Sequence, residues 1–593
     1  MRHVLPLAVL VVVVAACGSS DDSSDGSTDG GAPRTGDASS NGFGDGGANG
    51  DGGSGGAADG GSSAEAGTPP PDTDGGSVTP PAATCTSPLT AADVSKPDAV
   101  VGTGTAASCT AAALTTALTA GGIVTFSCGS APVTITVTST IELPTGKNTV
   151  VDGGGTVTLD GGGKVRILDW THNDYRVNTF GLTLQNITLA HGKATGTIPY
   201  ASHPAPCSSG FYDGAGGALY MQDGVLHVVD STFTNNQAES TGPDIGGGAI
   251  YLTGALHSVI SGSTFLNNSG ANAGAIGSLN SDLDVYNSTF QGNAALGFGA
   301  NGDNSDTANG GCAYKATNGQ NQTGSGGNGG AIAIDGGSDT THTFCGSTFK
   351  GNKGGVGALG GALFRTPDGS QQTTTIDRCL FDSNTGDSAG AAYFHNSVIA
   401  LTSSTFTANA GAKGSGAIQA DGSVYDFTND TFAGNHATTG VGATLSLFGN
   451  SGTLLNCTFA DNACDTSAGF GAAIFGPGQN LTIQNTIFDD NTAPNAGSAE
   501  QCFVGTITGS GDMQWPVKRT TGGATDTLCA PGIFEGSDPS LGTLGDHGGP
   551  VPTMVPSATS AAQKRGTGCP ATDARGVART AGSCTAGAVE GSN

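Results

Sequence analysis

The sequence predicts an all-β fold, a parallel β-helix, and three observations carry that prediction. Nine copies of F-x-x-N recur with an apolar residue five positions before the phenylalanine, mostly 25 to 32 residues apart. They are Phe233 with Asn236, Phe265 with Asn268, Phe290 with Asn293, Phe349 with Asn352, Phe381 with Asn384, Phe406 with Asn409, Phe432 with Asn435, Phe459 with Asn462 and Phe488 with Asn491. Upstream of most copies stands a glycine-rich tetrapeptide such as Gly247-Gly248-Ala249-Ile250 or Gly360-Gly361-Ala362-Leu363. The composition agrees: 103 glycines in 593 residues, 11% charged residues and two tryptophans describe a turn-dense β protein with short side chains.

The apolar residue five before each phenylalanine (Val228, Ile260, Val285, Phe344, Ile376, Leu401, Phe427, Leu454, Ile483) sets the local geometry. Five is odd, so a straight strand would send the two side chains to opposite faces. Both reach one core only if the chain bends between them. The position three before the phenylalanine supplies bend residues, among them Asp230, Gly262, Asn287, Asn429, Asn456 and Asn485. Glycine then allows the next corner, alanine fills a cramped interior, and Ile or Leu opens the following strand. Three short strands per period make one rung. Stacking rungs at roughly 4.8 Å lines the phenylalanines into an interior column and the asparagines into a ladder at a corner.

From the start, residues 1–17 combine Arg2, an apolar run from Val4 to Val14, and Val14-Ala15-Ala16-Cys17, too short to span a bilayer and right for a signal peptide. Residues 18–84 are almost wholly Gly, Ser, Asp, Ala, Thr and Pro and read as a disordered tether spanning roughly 45 Å root-mean-square. Its Asp-Gly pairs lack the loop spacing of a calcium site, so no cofactor or metal centre is assigned; Ca²⁺ is expected at most as a weak ligand. Residues 85–120 form an N-terminal cap, with a helix from Ala111 to Ala120 closing the open end of the stack. Repeats occupy 121–491, interrupted by a loop insertion at about 294–327, and 492–593 are expected to fold as an irregular cap over the last rungs. Thirteen cysteines follow Cys17. Local order pairs Cys109 with Cys128, Cys502 with Cys529, and Cys569 with Cys584. Cys379 and Cys457 stand two before a repeat phenylalanine, where other copies have Ser, Asp or Thr, and are read as small buried residues.

Several segments resemble known families. Small residues before Cys17 and Gly18 resemble a bacterial lipobox, which implies diacylation of Cys17 and export to the outer membrane or cell surface. The GGA-[IL] and F-x-x-N pair over roughly 214–491 resembles the repeat of polymorphic outer-membrane proteins, implying a right-handed solenoid of the pectate-lyase type, the hand that parallel crossovers also favour. The region with Cys502, Cys529, Asp538-Pro539-Ser540-Leu541-Gly542 and Gly548-Gly549-Pro550 is similar to the choice-of-anchor Q domain. Neither the repeat nor the choice-of-anchor Q resemblance supplies a catalytic residue.

A net charge of −28 argues against a nucleic-acid partner. Neither H-E-x-x-H nor a G-x-x-x-x-G-K-[ST] phosphate loop is present. Because β-helices also house polysaccharide lyases and hydrolases, Lys350, Lys353, Arg365, Asp368, Asp377, Arg378, Asp382 and Asp387 are enzyme candidates, with Asp489-Asp490 a weaker one. The histidines show no ligand spacing. The expectation is an exported, lipid-anchored surface protein, non-catalytic, that contacts the membrane through its anchor and a polysaccharide or cell-surface protein through its body. A lyase or hydrolase acting on acidic polysaccharide is the alternative, and a structural spacer the third reading. An adhesin would show an aromatic or apolar patch; a lyase would gather carboxylates and a base in one groove.

Overall fold

Each repeat folds into three short parallel strands joined by tight corners, in a computed structural model that describes residues 85–197, 213–242, 245–299, 314–315, 321–322, 326–337, 340–449, 451–495 and 498–591. Cys17, the tether and most of the 294–327 insertion, with Asp303, Asp306 and Cys312, lie outside those residues. One rung runs Leu219–Gln222, Val225–Val229 and Thr232–Thr234; the next runs Ile250–Thr253, Leu256–Ser261 and Thr264–Leu266. Equivalent strands pair in parallel, giving a first, second and third sheet around one core. Thirteen successive pairings join fourteen strands in the second sheet, from Ala99–Val101 to Cys502–Ser510, two more than the dozen or so rungs expected.

Two left-handed residues per rung produce the bends. One stands three before the phenylalanine, at Asp230, Gly262, Asn287, Gly346, Arg378, Ser403, Asn429, Asn456 and Asn485, with φ between 46° and 62°. The other stands two after it, at Asn235, Asn267, Gly292, Gly351, Ser383, Ala408, Gly434, Asp461 and Asp490. The repeat phenylalanines are wholly buried. They stack face to face from Phe233 to Phe488 with centroids 4.5 to 5.2 Å apart. The following rung carries Gln514 in their register.

The repeat asparagines are buried rather than at the corner itself, which belongs to the residue before each of them. Asn352 donates its backbone N–H and its Nδ2 to Asn384 Oδ1, at 2.9 and 3.0 Å, and Asn384 Nδ2 donates to Phe349 O and Asn409 Oδ1. The same bonds recur from Asn236 to Asn491. A second ladder runs two before the phenylalanine. There the N–H of Ser231 donates to Ser263 Oγ, Ser263 to Ser288, Ser404 to Asp430 Oδ1, and Thr486 to Asp512 Oδ1. Cys379 and Cys457 hold positions in this ladder as buried free thiols. Buried backbone N–H groups at corners need such acceptors.

The helix Ala111–Ala120 covers the first rungs with Leu114 and Leu118, its start capped by Thr110 Oγ1 and its end by Gly121 at φ 64°. The segment before it behaves otherwise than a cap. Residues 85–98 lie along the side of the stack: Cys85 is disulfide-bonded to Cys345 and exchanges backbone bonds with the Asn287 amide, and Ala92 does so with Gln185. At the other end the stack continues one rung past Asn491, with Cys502–Ser510 and Met513–Trp515 paired onto it. Residues 516–591 then turn back along the same corner row, where Asn485 and Asn456 donate to Thr567 O and Thr585 O, and Arg579 donates to Asn429 Oδ1. Cys109–Cys128, Cys502–Cys529 and Cys569–Cys584 are bonded.

Candidate functional site

In the first sheet alternate residues face the core and the exterior. Ile250 and Leu252 point inward while Tyr251 and Thr253 point outward. Strand register therefore fixes an outward column along the stack: Asp169, Tyr220, Tyr251, Gly277, Ala333, Phe364, Tyr393, Gln419, Ser446, Phe475, Phe503. Three aromatic pairs stand in it, each parted from the next by two small or polar residues. The pairs are stacked: Tyr220 on Tyr251 at 6.0 Å, Phe364 on Tyr393 at 5.8 Å, and Phe475 on Phe503 at 5.8 Å.

The pairs differ in access. Tyr251 and Phe364 are 5% exposed, packed against a wall of alanines that includes Ala271 and Ala389. Between them lies a cleft floored by Gly277 and Ala333 and rimmed by Asn272, Asn328, Leu279 and Asp335. The third pair is open. Phe503 is 38% exposed, and Phe448, two residues past Ser446 in its strand, is 39% exposed. Phe470 stands edge-on to both Phe475 and Phe503, and Phe448 edge-on to Phe475, so four phenylalanines form one patch. Beside it Asp421 accepts from Tyr393 Oη at 2.7 Å and from Gln419 Nε2. Flat apolar rings flanked by amide and carboxylate groups offer what the two faces of a sugar require.

The enzyme candidates do not converge. Lys350 pairs with Asp382 at 3.1 Å on the third sheet, Arg378 with Asp377 at 2.6 Å on a corner, and Lys413 with Asp387 at 2.8 Å on another. Lys353 and Asp368 are exposed. Arg365, also an enzyme candidate, is wholly buried in the core, where Nη1 donates to Gly336 O and Thr366 O and Nη2 to Thr340 Oγ1; burial pulls its pKa down to about 10. Asp489 is buried, and desolvation, then the neighbouring Asp490, Asp538 and Asp461 carboxylates, push it up to about 8. Gly386-Asp387-Ser388-Ala389-Gly390 has the spacing of a nucleophile elbow, but it forms a corner between rungs with no helix after it, and Asp387 accepts from Gly357 N and Lys413. Among the described residues one set of three metal donors converges, Cys85, Cys345 and Asp377, and its two sulfurs are joined in the disulfide.

The aromatic column escaped the sequence reading, although a signal for it exists. Each member follows the last apolar residue of a glycine-rich tetrapeptide or its equivalent, so aligning those tetrapeptides and reading one residue further recovers the column.

Comparison with known proteins bears on the fold. The family described as right handed beta helix region matches residues 367–510. No curated protein sequence matches the chain. Among solved structures the chain is similar to PfbA, a surface adhesin of Streptococcus pneumoniae, at 12% identity and TM-score 0.32, covering 77% of this chain and 98% of that one. It is also similar to a mannuronic acid specific family 6 polysaccharide lyase from human gut microbiota, at 11% identity and TM-score 0.23, covering 67% and 81%. A siphovirus 9NA tailspike receptor binding domain follows at 10% identity and TM-score 0.16, covering 70% and 76%. At such values no activity transfers from these proteins to this chain.

Proposed function

We propose that this β-helix is an exported surface protein, anchored through a lipid on Cys17, whose first-sheet face contacts carbohydrate in a non-catalytic, adhesive role. The observation that carries the reading is the open patch of Phe448, Phe470, Phe475 and Phe503 beside Gln419, Ser446 and Asp421. Contiguous exposed apolar patches of this kind mark interaction sites. The anchor and an outer-membrane or cell-surface location rest on the Val14-Ala15-Ala16-Cys17-Gly18 sequence, and the C-terminal choice-of-anchor Q likeness fits the same setting. The dispersal of the basic and acidic candidates weighs against a lyase.

The test is binding of the full chain to a polysaccharide panel, with and without Ca²⁺, alongside Phe503→Ala and Phe448→Ala. Loss of binding in both variants, without release of product, is expected; unsaturated product formed in the presence of Ca²⁺ refutes the non-catalytic role. Acyl labelling that persists in Cys17→Ser refutes the anchor.

A further inference from the structure

The stack ends unevenly. Residues 526–534 close two of its three sheet edges. Just before the first-sheet strand, Asp526 accepts from Glu500 N and Gln501 N at 2.8 and 3.0 Å, and Cys529 is bonded to Cys502. On the third sheet Phe534 pairs with Met513, its N–H donating to Asp512 O and its carbonyl accepting from Gln514 N. Between these points Cys529, Ala530 and Ile533 cover the end of the core. The second-sheet edge is passed over. Cys502–Ser510 pairs with Ile474–Gln484 on one side, and among the described residues no strand pairs with its other side. Thr506, Thr508, Gly509 and Ser510 are exposed, and Val504 and Ile507 are half-buried against the core.

Ser510 O accepts from Asn485 N of the preceding rung. Amide groups alternate sides along a strand, so Ile507 and Gly509 aim their N–H and C=O groups at the open side. Folded proteins blunt such an edge with charge, proline or cover. This strand, nine residues long, has neither charge nor proline, and it carries Val504, Thr506, Ile507 and Thr508, which favour pairing. The opposite end of the sheet is built otherwise: Ala99–Val101 is three residues long, and the helix Ala111–Ala120 packs on it.

The shape of this end selects the occupant. Phe534 sits where the next strand of the third sheet would lie, so the cap rises beside the open edge by about one strand spacing, roughly 4.8 Å. A second copy meeting edge to edge would drive its own cap into the last rung, whereas a single strand fits the notch. Residues 18–84 of this chain are rich in Gly, Asp and Pro, which resist strand pairing. A net charge of −28 opposes acidic segments. We propose that Thr506–Ser510 takes one extended segment of another polypeptide, neutral or basic and apolar at alternate positions, as a fifteenth strand of the second sheet. Its inward side chains would join Ile507 and Ile533 over the core, and its backbone would pair with Ile507 and Gly509. The site is separate from the phenylalanine patch, which presents side chains on the face of the first sheet.

The test uses the full chain and a synthetic peptide copying Gln479–Asn485, whose strand already pairs with this one on its other side. Calorimetric titration should give saturable one-to-one binding, and hydrogen exchange on the unaltered protein should slow within 505–510 alone. A peptide with proline in place of the isoleucine loses a backbone donor and should bind at least about tenfold more weakly. Copies flanked by lysine should bind more tightly than copies flanked by glutamate; the reverse order overturns the charge assignment. In the protein, Ile507→Lys sets a charge on the edge and should abolish binding with circular dichroism unchanged. The exchange measurement needs no variant and stands if that one fails to fold. Absence of binding up to roughly 1 mM peptide, or protection centred on the phenylalanine patch, overturns the inference. So does protection of 505–510 before any peptide is added, whether sedimentation then shows a dimer, and hence a second copy on the edge, or a monomer, and hence a segment of the chain itself.

Discussion

Replacing Asn384 by alanine removes one unit from the middle of the asparagine ladder without touching the phenylalanine stack. The backbone N–H of Asn352 donates to Asn384 Oδ1 at 2.9 Å in a fully buried setting and would be left without that acceptor. Asn352 Nδ2 keeps Phe290 O, and Asn409 Oδ1 keeps the backbone N–H of residue 384. Phe349 O loses the Nδ2 donor. An orphaned buried donor costs about 1–3 kcal/mol, and a lost buried bond about 1 kcal/mol more, so the variant should be destabilised by about 2–4 kcal/mol. Guanidinium unfolding followed by circular dichroism measures the sum. Because rungs contact only their neighbours, hydrogen exchange should locate the loss in peptides spanning 349–352 and 381–384. A loss below about 1 kcal/mol, or exchange changes spread evenly along the stack, would refute the account of the ladder as backbone satisfaction.

Three further outcomes follow from buried groups. Asp512 and Asp489 are raised to about 7 and about 8 by desolvation; folded protein holds protons that the unfolded chain releases, so stability is fullest below about pH 4 and declines as pH rises through 7 to 8. The slope is at most about 1.4 kcal/mol per pH unit and group. Melting scans should give a higher midpoint at pH 5.5 than at pH 8.5, and Asp512→Asn, which retains an acceptor for Thr486 N, should flatten the difference. Cys379, Cys457 and Cys464 are buried, with thiol pKa values pushed to about 12, upward, and to about 11; peptide mapping after thiol labelling of native protein at pH 8 should find all three unlabelled until denaturant is added. Cys85→Ser with Cys345→Ser opens a crosslink with a sequence separation of 260. The chain-entropy argument puts its worth at about 5.6 kcal/mol, and limited proteolysis should then cut within 86–98 while the stack stays resistant.

Local periodicity explains how much of this was readable. A phenylalanine and an apolar residue five apart force a bend, so the rung followed from spacing alone, and short-range disulfides followed from order along the chain. The position two before the phenylalanine was read correctly as small, yet its role as acceptor for the previous rung's N–H shows only when rungs are stacked. Cys85 with Cys345 leaves no local signature, because its partners are brought together by eight strands of winding. Arg365 counts as an enzyme candidate on its charge and its charged neighbours in sequence; alternation in its strand turns it inward. The aromatic column was missed for a related reason, since its members occupy a position that Gly, Ala, Gln and Ser share with the aromatics and so present no conserved-looking letter within the repeat.

The Cys85 crosslink also decides how the body bears force. Cys345 belongs to the eighth of the fourteen strands of the second sheet, so the crosslink ties residue 85 to the middle of the stack. Tension applied at Cys85 passes into the middle rungs by a covalent bond and bypasses the helix-covered end, where the first strands would otherwise peel away in sequence. A force reaching residue 85 is therefore borne by the middle of the stack, with rungs on either side of it, and the open phenylalanine patch lies toward the far end from the helix.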